Sequence, residues 1–319
     1  MSRLISFVIP CYGSENTIEG VVEEIMLLNQ QHSEDTYEII LVNDSSPDHV
    51  WDKICKLSKR HSNIRGINLA KNFGQHAALL AGYRYSKGEI VVSLDDDGQI
   101  AVEDTYKIID ELDTGYDVVY GKYRVKKHSK LRNIGSGFAT MMMVHLMGVP
   151  KEFRGSSFYA AKRFIIEEMG KYQNPYVFLS GLVFRSTNKV GSVFVNHRVR
   201  TEGESGYSFG KLFALWVNGA TTFSIKPLRI SSIFGVLLAV IGAVGACLVV
   251  INKILNPDMA AGWSSLISVI LFLGGILLVS LGLIGEYVGR IYLSLNKTPQ
   301  YVVRELSNES DKMQTEKGD

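Results

Sequence analysis

The stretch GEIVVSLDDDGQ, residues 88–99, contains the pattern on which both the fold and the chemistry depend. An apolar run from Glu89 to Leu94 is typical of a buried strand, and three consecutive carboxylates, Asp95, Asp96 and Asp97, follow it directly. Adjacent like charges at the end of a buried strand repel one another. The pattern therefore predicts a compensating cation at this strand end.

Four other apolar runs have the length of strands, and helical segments separate them. The runs are Ile5 to Ile9, Tyr37 to Val42, Ile64 to Leu69 and Asp117 to Tyr120. Apolar residues recur at helical spacing in one stripe of Ile18, Val21, Val22, Ile25 and Leu28, and in a second of Ala77, Leu80, Ala81 and Tyr85. Alternating strands and helices predict an α/β domain with a mostly parallel sheet covered by helices.

Polar loops follow the first four predicted strands. The loops are PCYGSE at 10–15, NDSSPD at 43–48, KNFG at 71–74 and the triple Asp at 95–97. Ligands of open parallel sheets bind beyond the carboxyl ends of the strands, so these loops predict one binding mouth. For any single loop, a solvated turn that happens to carry an Asp remains the alternative.

Composition narrows the class of protein. The chain has 319 residues, 46% hydrophobic and 21% charged, which suits one or two packed domains rather than a disordered or fibrous chain. The formal net charge of +2 gives no general attraction to polyanions, so we expect no nucleic-acid partner. The three cysteines are far apart and in no metal-ligand spacing, which indicates a reducing compartment.

The chain changes character near residue 229. No Asp, Glu, Lys or Arg occurs from Ile230 to Asn252 or from Met259 to Gly285, and each stretch can cross about 30 Å of hydrocarbon. Both stretches are apolar on all sides, which favours membrane spans over helices of a soluble core. The predicted organisation is a domain at 1–225, two transmembrane helices at about 230–252 and 262–285 within 226–285, and a juxtamembrane helix with a polar tail at 286–319.

Flanking charges predict the orientation of this multi-pass arrangement. Lys226 and Arg229 precede the first span, and Arg290 and Lys297 follow the second. In the connecting loop, Lys253 is balanced by Asp258. The excess of positive charge at the outer ends predicts that the N-terminal domain and both termini lie in the cytoplasm.

Three further segments mix apolar and polar residues as helices at a membrane surface do. They are Leu131 to Pro150, Tyr207 to Ile225 and Glu286 to Lys297. Packing in the core is the alternative for the first two, and a third span is a further alternative for the first. The residues from Asn308 to Asp319 have the composition of a disordered tail.

These motifs resemble the family 2 glycosyltransferases, in particular the membrane-anchored polyprenyl-phosphate glycosyltransferases, a group with bactoprenol glucosyltransferase, undecaprenyl-phosphate aminoarabinose transferase and dolichyl-phosphate mannose synthase. The resemblance runs through FVIPCYGSE (7–15), LVNDSSPD (41–48), AKNFGQHAALLAGY (70–83), GEIVVSLDDDGQ (88–99), RTEGESGYS (200–208), PLR (227–229) and GLIGEYVGRIY (282–292). It implies the GT-A fold, a Rossmann-like, mostly parallel sheet, followed by a two-helix transmembrane hairpin in the bacterial inner membrane.

The resemblance places the family's Asp-x-Asp motif on Asp95 and Asp97, with its usual Gln at Gln99. It implies that these two carboxylates bind Mg²⁺ or Mn²⁺, which bridges a nucleotide diphosphate to the protein and neutralises the leaving group. Asp44 is implied to accept a hydrogen bond from the base. The remaining residues implied to line the nucleotide pocket are Pro10, Tyr12, Glu15, Lys71 and Asp96.

A later segment matches the family loop that closes over the diphosphate and the acceptor phosphate. Its matching residues are Arg200, Glu204, Ser205 and Tyr207. Arg200 is implied to act in catalysis, because a guanidinium engages phosphate oxygens in pairs. A solvated strand edge carrying Arg198 and Arg200 is the alternative.

Three positions depart from the family pattern. Asn43 replaces a common Asp, the segment at 98–101 replaces Leu-Gln-Asp/Asn-Pro, and Arg154 replaces an Asp that is sometimes proposed as a catalytic base. A phosphomonoester has a second pKa of about 6, so the acceptor phosphate is anionic at neutral pH and needs no base. We hypothesise that Arg154 contacts the acceptor phosphate or the donor sugar.

The resemblance thus implies an inverting transferase that moves one sugar from a nucleotide diphosphate sugar, with UDP the expected nucleotide, to undecaprenyl phosphate. The product would be a lipid-linked monosaccharide for the cell envelope, and membrane lipids and a homotetramer are the other implied partners. Two alternatives remain: a transferase that elongates a lipid-linked saccharide, and a non-catalytic membrane scaffold that binds nucleotide sugars. The absence of a Gln-x-x-Arg-Trp motif disfavours a processive synthase.

Overall fold

The computed structural model describes residues 2–123, 156–196, 198, 226–255 and 262–308. The strands are β1 (Leu4–Cys11), β2 (Thr36–Asn43), β3 (Ile64–Leu69), β4 (Ile90–Ser93), β5 (Val118–Tyr123), β6 (Tyr159–Lys162), β7 (Val190–Val195) and β8 (Val303–Leu306). The helices are α1 (Ile18–Gln31), α2 (Val50–Arg60), α3 (Gln75–Tyr85), α4 (Thr105–Asp113), α5 (Arg163–Gly170), α6 (Leu179–Ser186), α7 (Lys226–Leu255) and α8 (Trp263–Leu295), with a 3-10 turn at Val102–Asp104.

The strands form one mixed sheet in the order β7-β5-β6-β4-β1-β2-β3-β8. β1 pairs in parallel with β2 and β4, β2 pairs in parallel with β3, and β5 pairs in parallel with β7. β6 runs antiparallel to β4 and β5, and β8 runs antiparallel to β3. The prediction of a mostly parallel sheet is confirmed, and the two antiparallel strands β6 and β8 are additions that the sequence patterns did not predict.

The order of the central strands creates a switch point. The chain steps outward from β1 through β2 to β3 and then returns to form β4 on the other side of β1. The connections after β1 and β4 therefore leave toward opposite sides of the sheet, which opens a crevice at the carboxyl ends of these two strands. The crevice lies where the triple Asp follows β4.

The core packs against both faces of the sheet. Phe7 and Ile9 of β1 are fully buried and belong to one apolar cluster with all five residues of the first predicted helical stripe, so that stripe is confirmed. In the second stripe Ala77, Leu80 and Ala81 are buried, whereas Tyr85 is partly exposed. A Cβ on Gly82 would lie 2.3 Å from Val8 Cγ1, so glycine is required where α3 crosses the opposite face.

The helices α7 and α8 form a second compact unit. They contact each other through the hydroxyl groups of Ser231 and Ser280, whose oxygens are 3.0 Å apart. Within the described residues, Phe272–Leu295, with a mean hydropathy of 1.8, is the one helical stretch with the length and composition of a membrane span, and 0% of its apolar window is buried. Since α8 continues to Leu295, the segment expected to start a juxtamembrane helix at Glu286 belongs to this same helix.

The chain beyond α8 returns to the sheet unit, which the expected helix and tail at 286–319 did not include. From Lys297 onward the described residues cluster with the sheet, and β8 forms its outer edge beside β3. Arg84 Nη2 donates to Gln300 Oε1 at 3.0 Å, and Gln300 Nε2 donates to the Tyr172 carbonyl at 2.8 Å. These contacts fix the segment before it enters β8.

Candidate active site

The loops that follow β1, β2 and β4 meet at the switch point. The Tyr12 N–H donates to Asp96 Oδ2 at 2.9 Å, which joins the loops after β1 and β4. The Gly13 N–H donates to Ser46 Oγ at 2.7 Å, which joins the loops after β1 and β2. The single mouth predicted from the sequence is therefore present for these three strands.

The three adjacent carboxylates have different surroundings. Asp96 accepts from the Tyr12 N–H, and its own carbonyl accepts from the Thr17 hydroxyl at 2.5 Å, so this residue organises the loop after β1. Burial, together with the charge of Asp95, raises the pKa of Asp96 to about 6. Asp96 thus points toward the loop after β1, and the chain bends from Asp96 to Gly98. The charge of Asp95 still acts on Asp96, so the crowding predicted from the sequence persists.

Asp95 and Asp97 both lie near the Tyr123 hydroxyl. The pKa of Tyr123 is raised chiefly by burial, and the charges of both carboxylates contribute to the increase. Gln75 Nε2 donates to Asp95 Oδ1 at 2.8 Å, and the Ser157 hydroxyl donates to Asp95 Oδ2. These two donors hold the orientation of the Asp95 carboxylate.

Asp97 lies at the start of a tight turn. Its Oδ1 accepts from the Gln99 N–H at 3.0 Å, and the intervening Gly98 has a φ of 70°. A residue with a side chain would be strained at that φ. Glycine thus allows the chain to turn immediately after the carboxylate, and Gln99 is placed beside it through its backbone rather than its side chain.

Asp44 has a structural role in the observed contacts. Its side chain is 3% exposed, and its two oxygens accept from the N–H groups of Phe73 and Gly74 at 2.7 and 2.8 Å. Burial raises the pKa of Asp44 even though these two hydrogen bonds oppose the increase. Asp44 therefore fixes the loop between β3 and α3, and its implied contact with a nucleotide base stays a prediction.

The other described pocket residues have different degrees of exposure. Pro10 is buried within β1 opposite Val42, whereas Tyr12 is 55% exposed at the mouth. Glu15 Oε2 accepts from the His49 N–H at 3.2 Å. Lys71 is exposed, with its ammonium 5.0 Å from the centre of the Phe73 ring. Of these, Tyr12 and Lys71 offer side chains to a ligand.

The residues expected to contact the acceptor lie outside the described part of the chain. They are Arg154, Arg200, Glu204, Ser205 and Tyr207. The segments at 131–150 and 207–225, expected at the membrane surface, also lie outside it.

Arg198 is described, and its guanidinium donates to Glu24 at 2.6 Å and to Glu103 at 2.7 Å. The Arg198 N–H also donates to the Gln99 carbonyl at 2.9 Å, which ties the chain before Arg200 to the loop carrying Asp97. Arg198 is therefore an anchored residue rather than a freely solvated one.

Three residues near Asp95 were absent from the predicted site. Gln75 lies within the motif at 70–83 that carries the family resemblance, and its side chain could have been proposed from that motif. Ser157 follows Arg154, in a segment that departs from the family pattern. Tyr123 ends the stretch VVYGKY of β5 and carries no such signal. Its position depends on the parallel pairing of β5 with β7, where Tyr123 is in register with Val195, and periodicity does not show this pairing.

The donor set fits a divalent cation bound together with a substrate. Asp95 and Asp97 supply carboxylate oxygens, the ligands that Mg²⁺ and Mn²⁺ prefer. Within the described ranges, no group of three or more His, Cys, Asp or Glu side chains is arranged to hold a metal by itself. One or two carboxylates with the remaining ligands from phosphates and water is the usual arrangement for Mg²⁺ at a nucleotide.

The mixed sheet, with its carboxylate pair at the switch point, defines a GT-A glycosyltransferase fold. Residues 6–169 match the Glycosyl transferase family 2 domain, and residues 226–291 match the GtrB C-terminal hairpin. The chain therefore belongs to glycosyl transferase family 2.

Relatives and a solved structure agree with this assignment. The undecaprenyl-phosphate 4-deoxy-4-formamido-L-arabinose transferase of Aeromonas hydrophila is 31% identical over 307 residues, 95% of this chain and 94% of that protein. The uncharacterized glycosyltransferase YkcC of Bacillus subtilis is 31% identical over 95% of each chain. Glucosyl-3-phosphoglycerate synthase from Mycobacterium tuberculosis, in complex with uridine diphosphate, has a TM-score of 0.50 at 19% identity, over 69% of this chain and 79% of that one. At this identity the likeness establishes the fold alone.

Proposed function

We propose that this protein is an inverting glycosyltransferase that moves one sugar from a nucleotide diphosphate sugar, with UDP as the nucleotide, to undecaprenyl phosphate. The observation that carries the proposal is that Asp95 and Asp97 both lie near the Tyr123 hydroxyl at the switch point, whereas Asp96 accepts from the Tyr12 N–H. The match to the GtrB C-terminal hairpin and the name of the Aeromonas relative support a polyprenyl phosphate as the acceptor.

The reaction is a single displacement at the anomeric carbon. A phosphate oxygen of the acceptor forms the new bond while the bond to the β-phosphate oxygen of UDP breaks, and UDP leaves with the electron pair. The acceptor phosphate is anionic at neutral pH, so no side chain has to remove a proton. An α-linked donor therefore gives a β-linked lipid product, and the protein contributes mainly alignment and charge.

The residues at the mouth have different proposed roles in this reaction. Asp95 and Asp97 would hold Mg²⁺ or Mn²⁺, which would supply positive charge to the leaving diphosphate. Gln75 and Ser157 orient Asp95. Tyr12 and Lys71, which are exposed at the mouth, contact the nucleotide. Arg200 and Arg154 bind the phosphates of the two substrates.

The proposed role of helices α7 and α8 is to hold the protein at the membrane, where the lipid acceptor lies. We propose that they cross the bacterial inner membrane as a hairpin, with the sheet unit and both termini in the cytoplasm. The exposed apolar surface of α8 and the basic residues at Lys226 and Arg229 support this orientation. A homotetramer is the assembly proposed from the family resemblance.

The test is a screen of UDP release with purified full-length protein. A panel of nucleotide sugars is combined with a short polyprenyl phosphate and, separately, with a lipid-linked saccharide. Asp110→Asn, which removes a charge on the exposed face of α4, serves as the control variant. The proposal predicts release that depends on polyprenyl phosphate and a product with inverted anomeric configuration. Release that depends on the lipid-linked saccharide would identify an elongating transferase. Binding of the nucleotide sugar without release would identify a scaffold.

A further inference from the structure

The C-terminal strand β8 brings a carboxylate to the edge of the sheet. Glu305 is in register with Asn68 of β3, next to an irregularity in the pairing between Asn68 and Leu69. Its Oε1 accepts from Asn68 Nδ2 at 2.8 Å. This contact lies on the side of the sheet away from β4, and neither the sequence patterns nor the comparisons assign it a role.

The contact begins a chain of hydrogen bonds that reaches the mouth. Asn43 Nδ2 donates to Asn68 Oδ1 at 2.8 Å, and Asn43 Oδ1 accepts from the Ser46 N–H at 3.0 Å. Asn43 and Asn68 are 4% and 7% exposed, so water does not replace these contacts easily. The Glu305–Asn68–Asn43 chain therefore connects the sheet edge with the loop after β2.

The direction of every hydrogen bond in this chain follows from Glu305. A carboxylate only accepts, so the amide nitrogen of Asn68 points to Glu305 and its oxygen points to Asn43. Asn43 must then present its own nitrogen to Asn68, which leaves its oxygen for the Ser46 N–H. An Asp at position 43, common in the family, has no hydrogen to donate to Asn68. Asn43, where the family commonly has Asp, thus provides the donor that Asn68 needs when its own amide nitrogen donates to Glu305.

The far end of the chain fixes the two loops that frame the mouth. The Ser46 hydroxyl donates to Asp48 Oδ1 at 2.6 Å, and Ser46 Oγ accepts from the Gly13 N–H. Asp48 Oδ2 in turn accepts from the Glu15 N–H at 2.9 Å. A shift of Ser46 would therefore move both the loop after β1 and the loop after β2.

We propose that Glu305 is a positioning residue for the nucleotide pocket, acting through Asn68 and Asn43 on Ser46. This inference rests on the proposed function, because it takes the mouth at Tyr12 and Ser46 as the nucleotide site. Glu305 does not touch the substrate. It sets the polarity of the chain that holds the pocket loops, so its loss weakens nucleotide binding and leaves the catalytic carboxylates in place.

The test is a double-mutant cycle on full-length protein, with Asn43→Asp, Glu305→Gln and the combination of the two. In Asn43→Asp, an aspartate oxygen faces Asn68 Oδ1, and two acceptors repel each other. If the Asn68 amide turns over, its Oδ1 faces the Glu305 carboxylate instead, so one repulsive contact remains in either orientation. We expect UDP affinity, measured with Mn²⁺ by titration calorimetry, to fall about tenfold. In the combined variant the glutamine donates to Asn68 and Asn68 donates to the aspartate, so affinity returns to within about threefold of wild type.

Two further variants separate positioning from general damage. Glu305→Gln alone retains an acceptor for Asn68 and is expected to bind UDP like wild type, whereas Glu305→Ala raises the KM for the donor about fivefold and leaves kcat within about twofold. Asp110→Asn is the control, and thermal unfolding of each variant reports on folding.

Additive effects of the two substitutions in the cycle would overturn the inference, as would a loss of kcat without a change in KM. These results would leave the proposed function intact if wild-type protein releases UDP with polyprenyl phosphate. A wild-type protein that binds no UDP would overturn both the proposed function and the role given to Glu305.

Discussion

The sheet unit and the helical unit use the same apolar residue types in opposite ways. Leu41 of β2 is 0% exposed, whereas Leu278 of α8 is 69% exposed and its neighbour Val279 is 73% exposed. The sheet unit removes its apolar side chains from water by its own packing, which is the main stabilising contribution to its fold. The helical unit leaves them for its surroundings to cover, as a membrane hairpin does. The hydrophobicity of a segment alone therefore does not show whether it packs in a protein core or lies in a membrane.

The largest effect expected from this comparison concerns sugar transfer, which the proposed function assigns to carboxylates of the sheet unit. Asp97→Asn removes a charge that the proposed function assigns to metal binding, and we expect sugar transfer to fall at least about 100-fold. Asp96→Asn keeps an oxygen that accepts from the Tyr12 N–H, and we expect transfer to fall less than about fivefold. Both proteins should remain in the membrane fraction. Equal losses in the two variants would contradict the assigned orientations.

Matched truncations of two leucines test the comparison itself. Leu41→Ala opens a cavity in a closed core, so the free energy of unfolding should fall by about 2–5 kcal/mol. Leu278→Ala removes atoms that have few protein neighbours, so the change should stay within about 1 kcal/mol. Thermal and denaturant unfolding of the full chain in detergent micelles measure both. Equal losses would show that α8 is covered by protein at Leu278.

A smaller effect concerns acid stability of the sheet unit. Burial lowers the pKa of His76 to about 4, and its Nδ1 is shielded and has no hydrogen-bond partner among the described residues. An unfolded chain binds a proton on this histidine below about pH 6.5, whereas the native chain does not until about pH 4. The contribution of His76 to the free energy of unfolding is thus complete above about pH 6.5. It is lost, by up to about 3 kcal/mol, as the pH falls from about 6.5 to about 4.

The substitution His76→Gln should flatten this pH dependence whatever it does to stability at neutral pH. His49→Gln is the control, because His49 is exposed beside Asp52. The measurement is the unfolding midpoint as a function of pH for the three proteins. Parallel curves for wild type and His76→Gln would contradict the role given to His76.

The features that the sequence predicted are those that depend on local patterns. Apolar runs predicted β1 to β5, because a strand buried on both faces needs such a run. The triple Asp drew attention because it follows a buried strand, and the family resemblance selected Asp95 and Asp97 within it. The function of each neighbour was harder to predict, since the partners of Asp44 and Asp96 are backbone N–H groups from other loops.

The features that the sequence did not predict depend on long-range pairing. The segment VREL of β8 is short and carries two charges, and an edge strand needs only one covered face. The end of α8 was also missed, because the predicted span was ended where the uncharged stretch stops, before Glu286. The pair Glu286 and Arg290, whose side chains form an ion pair at 2.6 Å, supports the helix across that point.

The most direct test of the central claim is the initial rate of sugar transfer to polyprenyl phosphate before and after chelation of divalent ions. If Asp95 and Asp97 hold the sugar nucleotide through a metal ion, the rate should fall below about 1% with chelator and recover with Mn²⁺ or Mg²⁺. Asp97→Asn should show no recovery. An undiminished rate in chelator would contradict the account of this site.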